Sequence, residues 1–113
     1  HSDVVTFHAY NRPGELLERI NFIRLIADGR PMLCSEYMAR HAGSTFRDCL
    51  PLLKENHVGA INWGLVSGKT QTVFPWQGMM ETADLSIAFH DVFHRDGTLL
   101  VPEEAEVFEK FMR

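Results

Sequence analysis

Pro31-Met32-Leu33-Cys34-Ser35-Glu36-Tyr37-Met38 is a largely apolar run, the pattern of a strand, with one carboxylate near its end. Before it, Leu16, Leu17, Ile20, Ile23 and Leu25/Ile26 recur at helical spacing, which predicts a helix from about Glu15 to Asp28 with Gly29 as its stop. Before that helix, Val4-Val5-Thr6-Phe7-His8-Ala9-Tyr10 is β-branched and aromatic and predicts a strand, broken by Asn11-Arg12-Pro13-Gly14. After the quoted run, Ser44-Thr45 offers a cap for a helical segment carrying Phe46, Cys49, Leu50, Leu52 and Leu53. Pro51 is expected to kink or restart that segment, and Asn56-His57-Val58-Gly59 to end it. A third strand is expected over Ala60 to Val66, then a long polar and aromatic loop from Ser67 to about Asp84. A last amphipathic helix begins near Pro102, with Val107, Phe108 and Phe111 on its apolar face.

The order is β-α-β-α-β-loop-α, an α/β class in which alternation implies a parallel sheet with right-handed crossovers. The strands are nearly continuous in apolar character, as when both faces are covered. A piece of a (β/α)₈ barrel and a small doubly wound sheet both fit. At 113 residues the chain has room for one ordinary domain, and its 45% apolar content is enough to build a core. The formal net charge of -4, with no basic stripe, argues against nucleic acid as a partner. No apolar run approaches the roughly 20 residues of a membrane helix, and the N-terminus lacks the basic and apolar segments of a signal peptide. The absence of an initiator Met leads us to expect a processed, tag-derived or excised piece. Cys34 and Cys49 make no disulfide framework, and Cys34 reads as a buried free thiol.

Polar residues gather at the C-terminal end of each strand: His8 and Tyr10, then Glu36 and Tyr37, then Asn62 and Trp63. In parallel α/β folds that edge is where active sites are assembled. Period-two counting places Val4, Thr6, His8 and Tyr10 on one face of the first strand, Met32, Cys34 and Glu36 together on the second, and Ile61 and Trp63 together on the third. The expectation is a functional group above and apolar filling below: Met32 and Cys34 under Glu36, Val4 under His8, Ile61 under Trp63.

Phe7-His8-Ala9-Tyr10, Leu33-Cys34-Ser35-Glu36-Tyr37-Met38-Ala39-Arg40 and Gly59-Ala60-Ile61-Asn62-Trp63-Gly64-Leu65 together resemble strands six, seven and eight of clan A glycoside hydrolases, whose members are cellulase-like, mannanase-like and xylanase-like. Gly68-Lys69-Thr70-Gln71-Thr72-Val73-Phe74-Pro75-Trp76 is similar to the loop after strand eight in cellulase-like members. The resemblance spans nearly the whole chain and implies that residues 1–113 form a single partial TIM barrel. It implies Glu36 as nucleophile, Tyr10 as its hydrogen-bonding phenol, His8 lining the same pocket, and Trp63 as the platform under the sugar. Asn62 and Trp76 join these as candidate substrate-binding residues. The acid/base Glu of the clan belongs to a fourth strand that has no counterpart here.

The implied chemistry is retaining hydrolysis of β-linked glycans or β-glycosides, which needs two carboxyls about 5–5.5 Å apart and no cofactor or metal. A phenol donating to the nucleophile keeps it ionised, and an indole face suits a sugar's flat apolar side. Alternatives stand beside these readings. Trp76 either lines an outer sugar subsite or plugs the barrel mouth; Arg40 and His41 either touch substrate or only shape the loop. His90 and His94, at i, i+4, fit a structural helix or, with a third ligand, a zinc site. Asp84, Asp91, Asp96, Glu103, Glu104 and Glu106 read as ordinary solvated charges. Three strands leave two open edges and an uncovered sheet face, so a homo-oligomer with carbohydrate as its substrate is expected. A non-catalytic carbohydrate-binding or structural remnant is the competing class.

Overall fold

The computed structural model describes residues 2–112. Six regular elements follow in chain order: β1 (Val5–His8), α1 (Pro13–Ala27), β2 (Met32–Glu36), α2 (Phe46–Glu55), β3 (Val58–Ala60) and α3 (Ala105–Phe111). Single 3₁₀ turns lie at Arg40–Ala42, Gln77–Met79 and Pro102–Glu104. The sheet is parallel, in the sequential order β1-β2-β3.

Both crossover helices cover the same face. Leu16 and Ile20 of α1 and Cys49, Leu50 and Leu53 of α2 form one core with Met32, Cys34 and Val58 of the sheet, and α1 touches α2 directly. Helices on one side of a sequentially ordered sheet make a singly wound layer and not the doubly wound alternative. The opposite face carries no helix among the described residues; Thr6, Gly59 and Ile61 on that side are exposed. The radius of gyration, 14.6 Å, is somewhat above the roughly 13 Å expected of a compact domain near this length. No helix among the described residues is long and apolar enough to cross a membrane.

The predicted strands and helices exist with shifted limits, except the helix expected through His90 and His94. Helix α1 starts at Pro13, where a missing N–H costs nothing, and ends in left-handed Asp28 and Gly29. Only part of its predicted apolar stripe is used: Leu16 and Ile20 are buried and Ile23 is half-buried, while Leu17, Leu25 and Ile26 face outward. Thr45 caps α2 by accepting the Asp48 N–H at 3.2 Å. Pro51 does not restart α2, which runs unbroken across it. Strand β3 comes earlier than predicted, at Val58–Ala60, and Ile61 to Val66 is extended but irregular. Its backbone still follows β2: Ile61 N–H donates to the Cys34 carbonyl at 2.8 Å and Trp63 N–H to the Tyr37 carbonyl at 3.0 Å. The predicted helix through His90 and His94 is absent, because residues 88–94 are held in an extended path by backbone bonds to Val73, Thr72 and Leu65. The last helix begins where expected, the Pro102–Glu104 turn leading into α3, whose Val107 is buried with Phe108 and Phe111 packed beside it.

Burial and helix packing make α2 the energetic centre of the layer. Leu53→Ala should cost about 2–5 kcal/mol in urea unfolding. Leu25→Gln, on the open side of α1, should stay within about 0.5 kcal/mol of the parent.

Candidate active site

The middle strand holds one residue more than its neighbours. Phe7 pairs with Cys34 but His8 pairs with Glu36, so the ladder to β1 skips a residue. On the other side, two steps from Ile61 to Trp63 match three steps from Cys34 to Tyr37. Ser35 is the excess, and its hydroxyl closes the gap by donating to the Phe7 carbonyl at 3.3 Å. A bulge of this kind reverses the alternation beyond it.

The consequence is a correction to the period-two reading. Met32 and Cys34 do not lie beneath Glu36. They sit with their register partners Val5 and Phe7 on the helix-covered face, in the core. Past the bulge, Glu36 takes the opposite face with His8. Val4 and Ile61, expected as filling, are exposed. Cys34 is a free buried thiol, as read from the sequence, and burial pushes it up to about 11.

On the open side, three of the sequence candidates converge. The Tyr10 hydroxyl donates to Glu36 Oε2 at 2.7 Å, and His8 Nδ1 lies 3.3 Å from the same oxygen. Both contacts fall on Oε2, so Oε1 has no protein partner among the described residues. The Glu36 side chain is 23% exposed. Burial first, and then the adjacent carboxylate, push the Tyr10 phenol far above its ordinary range, so it remains a donor across the working pH range.

The remaining candidates divide. Trp76 packs edge-on against Tyr10, with ring centroids 5.0 Å apart, and leaves 41% of its surface exposed. Trp63, 46% exposed, follows Asn62 in the irregular stretch and makes no ring contact with that cluster among the described residues. Asn62 is not brought to Glu36. It pairs with Tyr37 on the other face, where both line a mainly apolar cavity of about 490 Å³ between β3, α2 and α3. Its amide donates back to the Gly64 carbonyl.

Strand β2 ends in strain. Met38 has φ 78°, a left-handed conformation that costs a non-glycine residue about 1–3 kcal/mol. Its N–H donates to Ser44 Oγ at 3.1 Å, and its carbonyl accepts from His90 Nδ1 at 2.8 Å. Beyond it, Arg40 is fully engaged: two bonds of 2.9 Å to the Glu104 carboxylate and two more to the Ala88 and Asp91 carbonyls. Of the two roles open to Arg40, it shapes the loop. His41 does the same, donating from Nε2 to the Asp84 carbonyl and stacking on Phe89.

Sequence reading missed three buried groups here. Glu104 and Asp91 are not solvated charges: Glu104 is buried in the ion pair with Arg40, and Asp91 is 0% exposed, accepting from the Thr72 hydroxyl. Asp84 and Asp96 do lie on the surface, each capping a turn through Ser86 or Thr98. His90, 2% exposed, is the third, and no local signal marks it because its partners lie 52 and 80 residues away in sequence. Without the helix, His90 and His94 cannot act as an i, i+4 pair, and no group of three or more metal-binding side chains occurs among the described residues.

Two stability measurements follow. Arg40→Met strands the buried Glu104 carboxylate and should cost about 3–5 kcal/mol, with much of the loss recovered in Arg40→Met/Glu104→Gln. Burial lowers the His90 pKa, against the opposing pull of the Met38 carbonyl, Asp91 and Glu36 and alongside Arg40. The unfolded chain therefore binds the extra proton first. The stability from neutral His90 is fully present above about 6.5 and is lost as pH falls below it, so thermal melts should fall there, before the carboxylates titrate near about 4, and His90→Asn should flatten that fall. No family model, curated protein or solved structure matches this chain.

Proposed function

We propose that the chain is the C-terminal part of a retaining glycoside hydrolase, cellulase- or xylanase-like, acting on β-linked glycans or β-glycosides, with Glu36 as nucleophile. The observation that carries this reading is the one-sided grip on Glu36. Tyr10 donates to Oε2 and His8 lies against the same oxygen, which leaves Oε1 its lone pairs for attack on an anomeric carbon. The half-open indoles of Trp76, packed on Tyr10, and Trp63 suit the flat apolar faces of sugar rings.

The singly wound layer also suits a segment of a (β/α)₈ barrel, in which helices cover the outside of the sheet and the other face looks inward. In this reading the edges at β1 and β3 and the uncovered sheet face are closed by association, as a homo-oligomer or with the rest of a barrel. Retaining chemistry needs a second carboxyl about 5–5.5 Å from the first. Glu36 is the single carboxylate bonded to Tyr10 and His8 among the described residues. A second copy would supply the other, so that two Glu36 side chains share the work of nucleophile and acid/base. The mechanism calls on no cofactor.

The exposed indoles of Trp63 and Trp76, beside a single carboxylate held by Tyr10 and His8, also favour a second reading: a module that binds carbohydrate and does not turn it over.

Hydrolysis of aryl β-glycosides and soluble β-glucans, with glycan binding measured separately, tests both. On the hydrolase reading, Glu36→Gln brings turnover to background with binding retained. Tyr10→Phe lowers kcat by roughly 10- to 100-fold, the worth of a hydrogen bond to a charged group. Active protein should sediment as an oligomer. Wild-type binding without turnover would leave the second reading, and a Glu36→Gln variant that still hydrolyses would falsify the assignment of the nucleophile.

A further inference from the structure

The proposed hydrolysis makes no use of His90, yet this ring occupies the junction between the two residues that matter most to it. Its Nδ1 lies 2.8 Å from the Met38 carbonyl oxygen. A carbonyl only accepts, so Nδ1 carries the proton and Nε2 holds the lone pair. Met38 is the left-handed residue two positions after Glu36, and both of its backbone polar groups are taken by buried side chains, the N–H by Ser44 and the carbonyl by His90. The same imidazole meets the Tyr10 ring at 5.7 Å and the Trp76 ring at 5.5 Å between centroids. Gly64 passes so close to the base of this side chain that a Cβ there would meet His90 Cβ at 2.8 Å and the His90 backbone carbon at 3.2 Å.

We propose that His90 is a positioning residue: by donating from Nδ1 to the Met38 carbonyl it holds the turn that ends β2, and so sets where the Glu36 carboxylate meets the Tyr10 hydroxyl. A residue forced into an unfavourable φ relaxes unless its surroundings over-determine it. Releasing the Met38 carbonyl lets the peptide plane rotate, and the displacement reaches Glu36 through two bonded residues. The ring contact alone does not supply this restraint, since it touches Tyr10 and not the strand. The proposal deepens the reading of Glu36 as nucleophile and takes its catalytic meaning from that reading. The positioning itself is measurable without substrate.

The experiment uses the full chain labelled with ¹³Cζ-tyrosine. Two tyrosines give two resonances, and Tyr10→Phe assigns them. The Cζ shift of Tyr10 reports its hydrogen bond to Glu36. His90→Asn keeps an N–H donor at the position of Nδ1, whereas His90→Phe keeps a ring and removes the donor. The Tyr10 resonance should stay at its wild-type position in His90→Asn and move in His90→Phe toward that of Glu36→Gln. Ser44→Ala, which frees the other side of Met38 and leaves His90 untouched, should move it in the same direction. Amide spectra of α1 and α2 serve as the check on folding. An unmoved resonance in His90→Phe, a moved one in His90→Asn, or an imidazole ¹⁵N spectrum with the proton on Nε2 overturns the proposal. If the resonances behave as stated and wild-type protein hydrolyses no glycoside, the positioning stands and the hydrolase reading falls. If it does hydrolyse, His90→Phe should lose on the order of 10²-fold in kcat with KM little changed.

Discussion

One surplus residue in the middle strand governs everything above it. Below Ser35, the alternation of β2 sends Met32 and Cys34 into the core against α1 and α2. Without the bulge, Glu36 would follow them, and a carboxylate in that apolar layer would be costly to ionise. With it, Glu36 crosses to the open face beside His8 and Tyr10, and Tyr37 takes its turn in the core against Phe46. A bulge disrupts pairing locally, and here the loss is offset by the Ser35 hydroxyl on the Phe7 carbonyl.

The segment after the bulge is held from both sides by groups distant in sequence. Ser44 and His90 fix the strained Met38, and Arg40 bridges to Ala88, Asp91 and Glu104. These contacts dock the returning chain, residues 88–91, beneath the site, where Phe89 and His90 meet Trp76 and so seat it against Tyr10. Stability and site geometry thus share parts. The buried ion pair that anchors α3 to the end of β2 also fixes the floor on which the aromatic cluster stands.

Chemically, the site is asymmetric around one carboxylate. The Tyr10 hydroxyl donates to Oε2 and His8 Nδ1 lies against the same oxygen, which leaves Oε1 as the oxygen with no protein partner among the described residues. Trp76 lies against Tyr10 and that face of the sheet carries no helix among the described residues, so the surface that would receive a substrate is continuous with the uncovered one. Association that covers the sheet and completion of the site are on this view one event.

Much of this was legible in the sequence. Sequence pattern located β1, α1, β2, α2 and α3, because the spacing of buried side chains is a local property of the backbone, whereas it placed the third strand too late, sharing only Ala60 with β3, and expected a helix around His90 that does not form. Thr45 as cap and Gly29 as stop follow from equally local chemistry. His8, Tyr10 and Glu36 were legible as a group because they fall at the C-terminal ends of neighbouring parallel strands. The face on which Glu36 stands was not. Parity counting assumes an unbroken alternation, and a bulge declares itself only against the register of the adjacent strands. Nor were the roles of His90, Asp91 and Glu104, whose i, i+4 spacing or acidic runs suggested a helix and a solvated surface. Burial of a polar group is decided by what lies across the fold, and their partners come from 19 to 80 residues away. The sequence by itself determined that strands and helices alternate and that His8, Tyr10 and Glu36 fall at neighbouring strand ends; the tertiary structure alone decided which way each of them faces, because facing depends on register and register is a relation between strands.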